Sequence, residues 1–283
     1  VIRAGADADV LLVNLAPITA RVFAALPKLR GVVRYGVGYD NVDLHAATAR
    51  GVRVANIPDF CTPEVADHTL ALLLALARKV IPLDASVRAG EWAALGVARP
   101  IRRLAGQTVG LIGFGRIGRE VARRCMPFGL RVLAYDRYVD SDTIRAAGAI
   151  PADLETVLRE SDFVSIHVPL NAETRGLINA AALRKMKRTA ALINVARGPV
   201  VNTLDLAYAL HQGQIAGAAL DVFEIEPLPL DHPIRQAPNV ILQPHVAWYS
   251  EDALRSLQRA AAEEAVRILR SHAPLHPLNE PSC

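Results

Sequence analysis

Short apolar runs alternate with amphipathic helical segments along almost the whole chain, and this pattern restricts the fold more than any other feature. Runs at 10–13, 31–34 and 52–55 alternate with helical patterns near 19–26 and 42–50. After Gln107 the alternation starts again, with runs near 108–112, 131–135, 163–166, 190–194, 216–220 and 240–242. A continuous apolar run suits a strand buried on both faces, and strands separated by helices pair in parallel. The pattern therefore predicts an α/β chain with a mostly parallel sheet. The restart after Gln107 predicts a second, nucleotide-type domain following a smaller one.

The segments between and beyond these runs add detail. A long helix is predicted to start at Thr62-Pro63-Glu64, with Thr62 as N-cap and Pro63 in the first turn, and to run to about Arg78. A second helix carries the chain to Gly90, and 93–104 reads as a loop. The last helix is predicted over Ser250–Arg270 with Ser250 as N-cap, followed by a proline-rich tail. That helix is expected to return to the first domain and make it discontinuous. Because the chain opens with Val1 and soon meets a strand at Val10–Val13, a preceding segment is also expected.

Composition narrows the class. The 283 residues are rich in alanine and aliphatic side chains, which fits a folded α/β protein and argues against disorder. The net charge of +4 comes largely from arginines scattered without a basic run, so nucleic acid is not the expected partner. Cys61, Cys125 and Cys283 are odd in number and far apart, which fits a reducing cytoplasm and neither a disulfide framework nor a thiolate metal site. No metal is expected. The longest aliphatic block, Leu70–Ala77, falls far short of the ~20 residues of a membrane span and reads as a buried helix. No signal peptide is recognised, and no membrane association is expected.

The restart carries a motif. Val109-Gly110-Leu111-Ile112 leads into Gly113-Phe114-Gly115-Arg116-Ile117-Gly118, followed by a helical segment to about Phe128. In such a turn the first glycine permits the bend, the second lets backbone approach a pyrophosphate, and the third allows close helix–strand packing. The helix that Arg116 and Ile117 open then offers backbone N–H groups and a partial positive charge to phosphate. Asp136 ends the next predicted strand, where a carboxylate accepts hydrogen bonds from adenosine ribose hydroxyls. A 2′-phosphate there would face a like charge, worth ~4 kcal/mol at about 4 Å and an effective dielectric near 20. The expected cofactor is NAD. Arg137 complicates that preference, because an arginine can accommodate the 2′-phosphate of NADP.

Three polar residues follow later strand-type runs: Arg197 in N-V-A-R-G, Glu226 in F-E-I-E-P and His245 in Q-P-H. Ligands bind outside the carboxyl ends of strands in an open α/β sheet. Reduction of a 2-keto acid requires a cation for the carboxylate, a proton donor, and a partner that keeps the donor charged. The planar fork of Arg197 suits the first role. His245 suits the second, and a carboxylate beside an imidazole raises its pKa toward neutrality. Glu226 and Glu224 both compete for the third role.

Taken together, G-F-G-R-I-G, D-F-V-S-I-H-V-P-L-N, I-N-V-A-R-G, A-A-L-D-V-F-E-I-E-P and P-N-V-I-L-Q-P-H resemble the D-isomer-specific 2-hydroxyacid dehydrogenase family. The resemblance implies two Rossmann-like domains, flavodoxin-like and dinucleotide-binding, with the active site in the cleft between them. It places a substrate domain at 1–61 and 251–283, an NAD-binding domain at 62–250, and a homodimer formed through the latter. It implies that Arg197 binds a small 2-keto acid, that His245 is the acid/base, and that Glu226 rather than Glu224 is its partner. Around the cofactor the resemblance sets Thr69, His167, Val168, Pro169, Thr174, Val195, Ala196 and Asp221, the last against the nicotinamide carboxamide. Gly36, Val37 and Gly38 would hold the substrate carboxylate with backbone N–H groups, an arrangement that glycine-rich turns favour.

Within the family, His245-Val-Ala-Trp248 and Arg34 resemble the C-terminal binding protein branch. There the tryptophan lines the substrate pocket and the arginine meets the substrate. An indole wall favours an apolar or thioether substrate side chain, while a Trp at a subunit or domain interface is the plainer alternative. An NAD(H)-sensing dimeric regulator with weak dehydrogenase activity is one alternative function. A phosphoglycerate dehydrogenase is another.

Overall fold

The computed structural model describes residues 1–92 and 94–281. Cys283 and the first residue of the expected 93–104 loop lie outside them. The chain divides into two compact units, Val1–Thr62 with Tyr249–Cys283, and Pro63–Trp248.

The first unit begins with β1 (Val10–Val13), α1 (Ala20–Ala25), β2 (Gly31–Arg34), α2 (Leu44–Ala49) and β3 (Arg53–Asn56). The second contains nearly all of α3 (Thr62–Arg78), then α4 (Val80–Arg88), α5 (Ala94–Ala98), β4 (Thr108–Ile112), α6 (Arg116–Cys125) and β5 (Arg131–Tyr135). It continues with α7 (Ser141–Ala146), β6 (Ile150–Pro151), α8 (Leu154–Glu160), β7 (Phe163–Ile166) and α9 (Ala180–Lys185). It ends with β8 (Ala191–Asn194), α10 (Thr203–His211), β9 (Gly217–Leu220) and β10 (Val240–Leu242), after which α11 (Glu251–Leu269) belongs to the first unit.

In the first unit β1, β2 and β3 form a parallel sheet in that order, with Val32 opposite both Leu11 and Val54. Ile18, Phe23, Val32 and Val54 are its buried centre. Each such side chain removed from water stabilises the fold by about 1.5–3 kcal/mol. The returning helix α11 starts where Ser250 accepts a hydrogen bond from the Ala253 N–H at 2.9 Å. It packs closely because β2 opens on Gly31, where a Cβ would stand 2.6 Å from Ile268.

The second unit holds seven parallel strands in the order β10-β9-β8-β7-β4-β5-β6. The chain enters at β4, builds outward through β5 and β6, then crosses back to β7 and builds the other way. The reversal leaves a crevice at the carboxyl ends of β4 and β7, where ligands bind in such sheets. Ile112, Ile166, Leu192 and Leu220, one from each of four adjacent strands, are fully buried in the core.

Two elements depart from the sequence expectation. Residues 94–98 are helical rather than loop, because Ala94, Leu95 and Ala98 favour helix and the turn stops before Pro100 can interrupt it. The edge strand β6 spans only two residues, one a proline, too short to leave a periodic signal. Cys61 and Cys125 are buried thiols, and burial pushes the Cys125 thiol up to about 12. Among the described residues no helix is long and apolar enough to cross a membrane. None of their His, Cys, Asp and Glu side chains cluster in a way that could hold a metal ion.

Candidate active site

The turn after β4 is fixed by what its glycines lack. Gly113 has φ +99°, and a Cβ there would lie 2.6 Å from the His167 carbonyl carbon, at the neighbouring strand end. A Cβ on Gly118 would lie 2.3 Å from the Gly113 carbonyl oxygen, so this glycine lets α6 sit against the turn. Gly115 differs. It is the N-cap of α6 without a side-chain bond, and a Cβ there would meet nothing within 4 Å. The result is open space before a helix N-terminus begun by Arg116, Ile117 and Gly118, a cradle that fits the pyrophosphate of NAD.

Asp136 ties this turn to the end of β5. Its Oδ2 accepts from the Phe114 N–H at 2.7 Å, and its Oδ1 accepts from Tyr138 N–H at 2.8 Å and Val139 N–H at 3.1 Å. A carboxylate has roughly four acceptor sites. Three are taken by backbone, which leaves capacity for a ribose hydroxyl.

Across the crevice, His167 is half-buried and desolvation pushes its imidazole down to about 3. It stays neutral, with Nε2 at 2.9 Å from the Ser165 hydroxyl and Nδ1 buried without a hydrogen-bond partner. Val168 and Pro169 lead into a loop closed by Thr174, whose hydroxyl donates to the Pro169 carbonyl at 2.6 Å. Thr69 is fully buried in α3 and donates to the Val65 carbonyl at 2.7 Å. Both hydroxyls therefore spend their protons on the protein.

The later strand ends bring the polar residues together. After β8, Asn194 shapes the turn: its Oδ1 accepts from Ala196 N–H at 3.1 Å and its Nδ2 donates to the Arg197 carbonyl at 2.9 Å. Val195 and Ala196 lie between, and the Arg197 Nη1 donates to the Ala196 carbonyl at 2.8 Å. Gly198 packs against the next loop so closely that a Cβ would fall 1.8 Å from the Phe223 carbonyl carbon. This absent side chain sets the spacing between the Arg197 turn and the Glu226 turn.

The two candidate carboxylates separate cleanly. Glu224 accepts from both the hydroxyl and the N–H of Thr203, at the start of α10. Glu226 turns the other way, with Oε1 accepting from Phe223 N–H at 3.0 Å and Oε2 at 2.7 Å from His245 Nδ1. Burial raises the Glu226 carboxyl, but bonds from His245 and Phe223 and the charges of His245 and Arg197 outweigh it. The net effect holds Glu226 below the usual carboxylate range.

His245 adopts the left-handed backbone region at φ 57°, uncommon for a residue with a side chain. Asp221 holds it there. The Asp221 carbonyl accepts from His245 N–H at 2.8 Å, and its carboxylate accepts from Val246 N–H at 2.8 Å and Ala247 N–H at 2.9 Å. Burial raises the Asp221 carboxyl, with these two backbone bonds opposing. The Trp248 indole N–H closes the turn on the His245 carbonyl at 3.0 Å. With Nδ1 committed to Glu226, Nε2 is the ring atom left for other chemistry. Sequence reasoning missed the turn-forming role of Asn194, the packing role of Gly198 and the backbone role of Asp221. Only N-V-A-R-G gave a signal, since asparagine two residues before a turn favours such bonds.

The remaining candidates belong to the first unit. Arg34 ends β2, is buried, and donates from Nη1 to the Tyr35 carbonyl. Gly36 has φ +143°, where a Cβ would strike the Arg34 guanidinium at 2.0 Å. Its carbonyl accepts from Ile57 N–H at 3.1 Å, and the Val37 carbonyl accepts from Asn56 Nδ2 at 2.6 Å. Gly38 follows in the same loop.

Known proteins resemble the chain closely. The family model described as the NAD binding domain of D-isomer specific 2-hydroxyacid dehydrogenase matches residues 70–247. A glyoxylate reductase of Korarchaeum cryptofilum is 45% identical over 279 residues, covering 97% of this chain and 83% of that enzyme. A glyoxylate reductase of Pyrococcus furiosus is 44% identical over 274 residues, covering 95% and 81%. Among solved structures, the D-lactate dehydrogenase of Aquifex aeolicus, complexed with NAD and lactic acid, superposes with a TM-score of 0.92 at 29% identity. That match covers 100% of this chain and 90% of the other.

Proposed function

The chain belongs to the D-isomer specific 2-hydroxyacid dehydrogenase family, and on that premise we propose how its residues divide the work. It is an NAD-dependent oxidoreductase acting on the CH–OH group, a D-2-hydroxyacid dehydrogenase and 2-keto acid reductase. When bound, NADH supplies the hydride that reduces the keto carbon.

The observation that carries the proposal is the 2.7 Å contact between His245 Nδ1 and Glu226 Oε2. Glu226 stays ionised at neutral pH and stabilises a protonated imidazole beside it. His245 gives the proton on Nε2 to the carbonyl oxygen during reduction and takes one from the hydroxyl in reverse. Arg197 orients the substrate carboxylate through its guanidinium. Arg34 and the Gly36-Val37-Gly38 loop contribute further substrate contacts. Gly113, Gly115, Arg116, Ile117 and Gly118 seat the pyrophosphate, and Asp136 takes the ribose hydroxyls. Thr69, His167, Val168, Pro169, Thr174, Val195, Ala196 and Asp221 complete the cofactor site. The residues 1–61 and 251–283 act as the substrate domain, and 62–250 as the NAD-binding domain.

The substrate is a small 2-keto acid of the glyoxylate class, as the names of the relatives suggest. Trp248 forms a wall that also tolerates an apolar or thioether side chain. The protein is a cytoplasmic homodimer associating through its NAD domain. Exposed apolar side chains on and around α4 and α5, Val80, Ile81, Val87, Trp92 and Leu95, support that interface.

The test is a panel of 2-keto acids, glyoxylate, hydroxypyruvate and 4-methylthio-2-oxobutyrate, each assayed with NADH and NADPH. The reading expects turnover with NADH on glyoxylate. Negligible turnover on every acid, with tight NADH binding retained, would instead favour a regulator of the C-terminal binding protein type.

A further inference from the structure

Arg137 follows Asp136 directly and is the side chain that could welcome a 2′-phosphate at the adenosine ribose. It is engaged elsewhere. Its Nη1 lies 2.6 Å from Glu173 Oε1, and the hydroxyl of the next residue, Tyr138, donates to Glu173 Oε2 at 3.2 Å. One carboxylate thus holds two consecutive residues of the segment leaving β5. Glu173 is itself placed by the loop after β7: Asn171 Oδ1 accepts the Glu173 N–H at 2.9 Å and the Thr174 N–H at 3.0 Å. The Thr174 hydroxyl anchors that loop to the Pro169 carbonyl. The carboxylate therefore sits on a hydrogen-bonded turn rather than on a free tail.

We propose that Glu173 is a cofactor-selecting residue that holds Arg137 away from the ribose 2′ position and so excludes NADP. The proposal deepens the cofactor-site reading above and rests on its placement of the ribose at Asp136. An exposed ion pair of this kind contributes little to folding, and Arg137 and Glu173 keep 61% and 47% of their side-chain surface exposed. Its effect lies in the charge that an incoming phosphate meets. Asp136, Arg137 and Glu173 together carry one net negative charge, and the sole cation among them is spent on a carboxylate. With Glu173 neutral, the three sum to zero and the guanidinium fork can turn to phosphate.

The experiment measures the dissociation constants of NADH and NADPH by nucleotide fluorescence for the parent, Glu173→Gln, Glu173→Gln/Arg137→Ala and Asp136→Ala. Glutamine keeps an acceptor for Tyr138 and removes the charge. The NADPH preference, taken as the ratio of the two constants, should rise about three- to tenfold in Glu173→Gln. It should fall back when Arg137 is also removed. An unchanged ratio in Glu173→Gln, or a gain that survives the loss of Arg137, overturns the proposal. Asp136→Ala separates the two readings. If it shifts the ratio while Glu173→Gln does not, only the role of Glu173 falls; if neither shifts it, the ribose placement falls too.

Discussion

The Gly-rich turn after β4 and the histidine turn after β10 lie at strand ends of one parallel sheet but are shaped by opposite means. The first is shaped by absence. Gly113 and Gly118 have no room for a Cβ, and Gly115 leaves open space at the α6 N-terminus. The second is shaped by tethers, since His245 holds a left-handed backbone despite its side chain. Asp221, Glu226 and Trp248 each spend a polar group on that turn. A turn made by missing atoms is fixed mainly by backbone clearance, with Asp136 bonding the Phe114 N–H from the end of β5. A turn made by tethers depends on residues up to 26 positions away, so it can be dismantled from a distance.

Substitutions can break this contrast in graded steps. The largest effect is expected from His245→Ala, which removes the proton donor but leaves the tethers to backbone. Its kcat on glyoxylate should fall by about 10²–10⁴, the usual worth of general acid–base catalysis, with NADH affinity falling far less. Stopped-flow reduction with separate nucleotide binding would check it, and an unaltered kcat would remove His245 from the chemistry.

The next largest effect belongs to the other turn. In Gly118→Ala the new Cβ would sit 2.3 Å from the Gly113 carbonyl oxygen, and a backbone atom cannot step aside as a flexible side chain would. Overpacking of this kind costs about 1–3 kcal/mol. We expect a lower Tm and NADH affinity weakened by about tenfold or more. Wild-type affinity would show that the turn is not shaped by exclusion.

Asp221→Asn tests the tethers. The amide keeps one acceptor oxygen and points hydrogens at a backbone N–H, leaving a buried donor unmatched at about 1–3 kcal/mol. The turn should loosen, and kcat should fall by about tenfold or more, accompanied by a change in Trp248 fluorescence because its N–H bonds the His245 carbonyl. A loss in NADH affinity alone would confine Asp221 to its place at the nicotinamide end and remove its role in holding the turn.

Glu226→Gln should have the smallest effect on rate at its own optimum. Losing the carboxylate removes the counter-charge beside the imidazole, so the alkaline limb of kcat against pH should move toward acid. An unmoved profile would show that the 2.7 Å contact is not coupled to catalysis. The stability effect has the opposite dependence. Because the folded Glu226 carboxyl lies below its ordinary range, its contribution is present above about pH 4.3 and is lost as pH falls through the folded value. The gap in unfolding free energy between parent and variant should therefore narrow in acid.

Much of this was legible in the chain itself. The apolar runs anticipated nine of the ten strands to within a residue or so, and missed only β6, whose two residues carry no period. The Gly-rich motif was readable because its cause is local: a strand, a bend and a helix in ten residues. The pairing of Glu226 with His245 was harder. Nineteen positions separate them, and spacing alone gave Glu224 an equal claim; the family resemblance chose Glu226, and in the structure Thr203 takes Glu224. The hold of Glu173 on Arg137 left no signal either, because the two meet only where the β5 and β7 loops converge.

Sequence alone determined the parallel α/β layout, the nucleotide turn and the residue types available at each strand end. Hydrophobic period, chain direction and glycine's missing Cβ act over a few neighbours and leave their mark in order along the chain. Tertiary structure decided the pairings: which carboxylate faces the imidazole, which one meets Thr203 at the start of α10, and which one engages Arg137. Those choices turn on distances between loops that the sheet order brings together, and a hydrogen bond gained or lost at 2.7 Å has no counterpart in sequence spacing.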